Sequence, residues 1–182
     1  MLKNLREIGK LIYRSIINRD KQKAIVWKEL KNSFEENEIS VGVYESDSQI
    51  ETNWNIAENK SVPFTYSVDH DFFRLQSSIH TFYDEDKITD AFVLATHINN
   101  FLSKGRVMVN PKSQTIDYVL KQDLRIPLLF KGEIEILVSR HLFASTDVFW
   151  AFEKLLNEDQ PPALIIADLL AGLEKQENDK AA

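Results

Sequence analysis

The chain contains no cysteine, and that one absence removes disulfides, thiolate nucleophiles and zinc-thiolate sites together. Five glycines among 182 residues leave little room for phosphate-cradling loops. Neither Gly-x-Gly-x-x-Gly nor Gly-x-x-x-x-Gly-Lys occurs, which excludes dinucleotide and P-loop chemistry of the familiar kind. No apolar run approaches the roughly 18 residues of a membrane span. The start, Met1-Leu2-Lys3-Asn4-Leu5-Arg6-Glu7, lacks the continuous apolar core and cleavage site of a signal peptide, so a cytoplasmic address is the expectation. Internal repeats, low-complexity stretches and glycine-serine linkers are missing as well.

What is present is a globular balance: 43% hydrophobic and 10% aromatic residues against 27% charged. A chain of this length buries roughly 70% of its unfolded surface, enough to fold without a metal or a disulfide staple. The net charge of -6 conceals an asymmetry. From Met1 to Phe34 nine basic residues stand against three acidic ones, giving +6 and leaving -12 for the remainder. An acidic body repels phosphate backbones, so nucleic acid is not an expected partner. Arm and body are expected to attract each other.

Periodicity organises the chain. Leu2, Leu5, Ile8, Ile12 and Ile16 recur at helical spacing with cations between them, and a second helical pattern runs through Ile25, Trp27, Leu30 and Phe34 to the polar cluster Glu35 to Glu38. Residues 1-36 therefore read as a basic amphipathic helical arm. Period two then takes over at Val41 and Val43, at Ile50 to Ile56, and in the hairpin formed by Val62 to Val68 and Phe72 to Phe82 around Asp69-His70-Asp71. A helix from Ile88 to Leu102, capped by Thr89 or Asp86, is expected to stop at Gly105. Arg106 to Asn110 and Thr115 to Lys121 form a second hairpin. Glu133 to Val138 alternates like a strand, yet continuation through Leu142, Val148, Phe152 and Leu155 favours one long helix to Leu156, kinked near Ser145 if anywhere. Pro161-Pro162 opens a last helix through Leu173, and residues 174-182 read as a disordered tail.

Catalytic constellations are sparse. His70-Asp71 has the composition of a metal doublet, but Asp69, His70 and Asp71 suit turn positions on conformational grounds. The four histidines share no helix face, so no metal ligand is assigned. Asp84-Glu85-Asp86 lacks the loop pattern of a calcium site. Ser145-Thr146-Asp147 lacks a nucleophile elbow. His97, beside Asn99 and Asn100, is the one candidate general base, and it carries the alternative reading of a small ligand-sensing or hydrolytic domain. Phe143, Phe149, Trp150 and Phe152 crowd one helix, more aromatics than a single core-facing stripe accommodates. Either the last helix covers them or another protein does.

Four stretches carry a family resemblance: Ala91-Phe92-Val93-Leu94-Ala95-Thr96-His97-Ile98-Asn99-Asn100-Phe101-Leu102, Gly105-Arg106-Val107-Met108-Val109, Ile116-Asp117-Tyr118, and Asp147-Val148-Phe149-Trp150-Ala151-Phe152-Glu153-Lys154-Leu155-Leu156. Their order resembles the YbjN-type family of bacterial proteins, over roughly Val62 to Leu156. That resemblance implies a fold like the type III secretion chaperones and a regulatory or chaperone-like role, with no catalytic motif to carry over. The basic arm and the helix after Pro161-Pro162 lie outside the family pattern.

The expectation is thus an α+β domain over 37-173, a twisted antiparallel sheet covered by helices, flanked by the arm and the tail. Its expected role is non-enzymatic binding of another protein, as chaperone or adaptor and as a homodimer, without a cofactor. Apolar burial and an acidic rim would select basic or amphipathic segments. Tyr118, Phe149 and Trp150 are the expected contact residues, since interface anchors are rich in aromatics. Membrane contact through residues 1-18 is a further alternative.

Overall fold

The computed structural model describes residues 18-124 and 132-181, and side chains as far as Gly172. The amphipathic pattern of residues 1-17 lies outside the described residues. The fold is α+β, with six antiparallel strands and four helices among the described residues. In chain order these are α1 (Arg19–Glu36), β1 (Gly42–Tyr44), β2 (Gln49–Ala57), β3 (Lys60–Val68), β4 (Phe72–His80), α2 (Ile88–Phe101), β5 (Arg106–Asn110), β6 (Thr115–Asp123), α3 (Glu133–Leu156) and α4 (Pro162–Ala181). The sheet runs β1-β2-β3-β4-β6-β5. Hairpins account for most of that order, and α2 makes the one helical excursion, after which β5 and β6 return so that β6 lies beside β4.

The chain divides into two compact units, one of residues 18-54, 63-76 and 120-143, the other of 55-62, 77-119 and 144-181. In the first, alternation sends Phe64, Tyr66 and Val68 of β3 and Phe73 and Leu75 of β4 into the core. Val26, Leu30 and Phe34 of α1 are buried in the same unit, so α1 is a core element although the sequence reading placed it in an arm. Asn18 Oδ1 accepts from the Lys21 amide at 3.0 Å and caps the helix start. Its end closes with Glu38 in the left-handed region (φ 54°) while the Ile39 amide reaches back to the Phe34 carbonyl at 3.0 Å. Phe34 packs at 5.2 Å on Tyr66, and His141 of α3, fully buried, presents its ring edge-on to Phe64 at 5.3 Å. Asp69 Oδ1 accepts from the Asp71 and Phe72 amides at 2.8 and 2.7 Å. The Asp69-His70-Asp71 segment is therefore a turn held by its own aspartate.

The second unit holds β5, most of β6, α2, α4 and the later half of α3. Asn99 of α2 joins helix to strand: its side chain accepts from the Val107 amide at 2.7 Å and donates to the Val107 carbonyl at 3.1 Å. That amide satisfies both backbone groups of one residue on the sheet-edge strand β5. Gly105, with φ 77°, is required for two reasons. A Cβ there would lie 2.5 Å from the Tyr118 hydroxyl, and the left-handed backbone itself favours glycine. This corrects the expected role of Gly105, because α2 already ends at Phe101 with Leu102 extended. The expected caps are also replaced: a 3-10 turn, Glu85–Lys87, leads into α2, and no side chain of Lys87 caps it.

α3 is one helix across the ambiguous Glu133 to Val138 segment and past Ser145. Ser145 is fully buried and its hydroxyl meets that of Ser77 on β4 at 2.8 Å, so a polar pair sits inside the helix-sheet contact. Pro162 occupies the first turn of α4, where its missing amide proton costs nothing. The helix then continues to Ala181, through the segment expected to be disordered.

Candidate functional site

Within the second unit a groove opens between α2, α3 and α4. Ile98, Phe101, Leu102, Val148, Trp150 and Leu169 supply its apolar lining, Asp147 and Asp168 its carboxylates, and Gly172 also lines it. Its volume is about 280 Å³. Helical spacing explains how these residues meet. Ile98 and Phe101 stand three apart on α2, Asp147 and Trp150 three apart on α3, and Asp168 and Gly172 four apart on α4, so each helix offers one face.

The groove sorts the three contact residues expected from the sequence. Trp150 belongs to it and is 38% exposed, with the Lys154 ammonium 5.8 Å from its ring. Phe149 is 7% exposed and stacks on His80 at 5.6 Å with the rings nearly parallel. Adjacent helix positions point about 100° apart, so one ring faces the sheet when its neighbour faces outward. Tyr118 is 1% exposed, and its hydroxyl donates to the Lys104 carbonyl at 2.9 Å. Burial pushes that hydroxyl's pKa up to about 12. Phe149 and Tyr118 are thus buried, and of the three expected contact residues Trp150 alone lies open to solvent.

The electrostatics of the groove rest on Asp147. Apolar surroundings partly dehydrate its carboxyl and lift its pKa above the usual carboxylate value. Among the described residues no hydrogen bond or ion pair engages the Asp147 carboxylate. Asp168 accepts from Gln160 Nε2 at 3.3 Å. Elsewhere in the same unit Lys87 pairs with Asp159, and Lys154 with Glu158 at 2.6 Å.

His97 and Asn100 are exposed on α2, and among the described residues neither has a hydrogen-bond partner. No cluster of three or more histidine, aspartate or glutamate side chains able to hold a metal forms among the described residues. Nor is any helix among them long and apolar enough to cross a membrane. A different histidine has the more unusual setting. His80, on β4, lies under Phe149 with Nε2 3.7 Å from the Glu153 carboxylate, which Lys60 also reaches at 3.2 Å.

Sequence reasoning missed Phe101, Asp168 and Gly172 as site residues, and met Asp147 only beside Ser145 and Thr146 and in the stretch that carries the family resemblance. The spacing of Asp147 from Trp150 was a usable signal. The approach of α2, α3 and α4 was not available from spacing alone. No family model and no curated protein sequence matches the chain.

Proposed function

We propose that this chain is a non-enzymatic protein-binding domain, of the chaperone or adaptor kind, and that the groove between α2, α3 and α4 receives its partner. The observation carrying this reading is an apolar groove flanked by the exposed rings of Trp150 and Phe101; Phe143, Phe82, Tyr44 and Phe92 are exposed too, but these two line a concave site. Large rings left open at a concave apolar site are the usual anchors of protein recognition. The resemblance to the YbjN-type family supports the same assignment, and the proposal includes a cytoplasmic setting and self-association into a homodimer. The competing site at His97 draws little support, because an exposed imidazole without a partner has nothing to orient it as a base.

Affinity capture from the native host, with the full chain as bait, tests the proposal. A protein retained by the wild type and lost with Trp150→Ala, while that variant keeps its fold, is the expected result. Equal retention by bait and variant contradicts it.

A further inference from the structure

Gly172 has no evident internal reason to be glycine. It sits well inside α4, where glycine costs about 1 kcal/mol relative to alanine. A Cβ placed on it would meet nothing within 4 Å, and its backbone is not left-handed. Neither packing nor φ demands glycine here, in contrast to Gly105. A bare backbone on the wall of an apolar groove does permit another backbone to approach closely.

Asp147 is the second feature of the groove that faces outward. Its side chain is exposed, and among the described residues no cation or donor engages its carboxylate: Lys154, one helical turn beyond Trp150 on the same helix, is engaged by Glu158. With Asp168 on the facing helix, the groove presents two carboxylates over an apolar floor. The complement of that surface is aliphatic side chains flanked by cations. The volume of about 280 Å³ lies just under the roughly 300–1,000 Å³ typical of small-molecule sites and suits inserted side chains better than an enclosed cofactor.

We propose that the occupant is a basic amphipathic helix of a partner protein: its aliphatic side chains fill the floor, its backbone passes α4 at Gly172, and a lysine or arginine pairs with Asp147. This deepens the protein-binding reading above and rests on it. Asp147 is then a recognition residue whose exposed carboxylate receives the partner's cation.

Two synthetic helical peptides test this on the full chain by fluorescence anisotropy. Both carry leucine at i, i+3, i+4 and i+7, one flanked by lysine and the other by glutamate. The expected result is binding of the lysine peptide, at least about tenfold weaker binding of the glutamate peptide, and a similar loss in Asp147→Asn. Gly172→Leu, which fits open space and leaves the helix intact, abolishes binding. A second readout separates recognition from structure: Asp147→Asn keeps or raises the melting temperature at neutral pH while it weakens the peptide.

Equal binding of both peptides, still blocked by Gly172→Leu, overturns the charge reading and leaves the groove as a protein site. Binding unaffected by Gly172→Leu places the peptide elsewhere and overturns the inference. Failure of both peptides, together with conversion of a dimer to a monomer by Gly172→Leu, also overturns it and assigns the groove to a second copy. Failure of both, with partner capture also indifferent to Trp150→Ala, removes the protein-binding reading as well.

Discussion

Phe149 and Trp150 are neighbours in sequence with opposite tasks. Phe149 fills space against His80, so Phe149→Ala opens a cavity and is expected to cost about 3–5 kcal/mol in denaturant unfolding. Trp150→Ala removes a ring that is more than a third exposed, and its cost is expected to stay near 1 kcal/mol. Equal losses would show both rings to be core. His80 gives the residue-scale pH response. Burial lowers its pKa below the usual 6.5, the Glu153 carboxylate opposes that shift, and Lys60 adds to it. The unfolded chain therefore takes up this proton first as the pH falls. The His80 contribution to stability is complete above the unfolded value and is lost as the pH drops below about 6.5 toward the depressed folded value. His80→Phe, which keeps a ring beside Phe149, is expected to flatten that part of the stability profile. A profile as steep as the wild type's would contradict it.

The elements were largely legible in the sequence. Alternation in Phe64, Tyr66 and Val68 and in Phe73, Leu75, Ser77 and Ile79 defines strands whose inward faces are those residues, because a pleated strand has no other way to bury them. Glu133 to Val138 alternates too, yet it is helix, since Ile134, Leu137, Val138 and His141 also fit a three-and-four spacing that carries on to Leu155. The closures were harder to read. Gly105 resembled a helix stop because it follows α2 closely, while its actual constraint is the ring of Tyr118, thirteen positions along the chain. Asn99 has the same non-local character, as its strand partner comes after the turn. Asn99→Ala leaves the Val107 amide and carbonyl without that side chain and is expected to cost about 1–3 kcal/mol, with amide exchange accelerated first in β5. Unchanged protection in β5 would show that the helix-strand link is dispensable.

On the scale of the whole molecule, fold class was legible and the site was not. Composition and periodicity decide that helices and an antiparallel sheet share the chain, since both report burial, which each segment expresses locally. A groove is a property of three helix faces at once. The last helix was weighed as a cover for the aromatic residues; it instead completes a wall beside Trp150 and contributes Leu169, Asp168 and Gly172. The charge asymmetry pointed to an acidic surface, but only the structure distinguishes Asp147, without a partner among the described residues, from Glu153, which Lys60 engages.

The most direct test is the response of the three tryptophan indoles in proton-nitrogen spectra as the lysine-flanked peptide is added. Trp27 donates to Glu45 at 2.9 Å and Trp54 to Tyr66 at 3.1 Å, so both have internal partners, whereas Trp150 lines the groove. Movement of the Trp150 indole and of the Phe101, Asp147 and Gly172 amides, with Trp27 and Trp54 still, is the expected result. Saturable shifts that leave Trp150 and Gly172 in place would contradict a partner site in this groove.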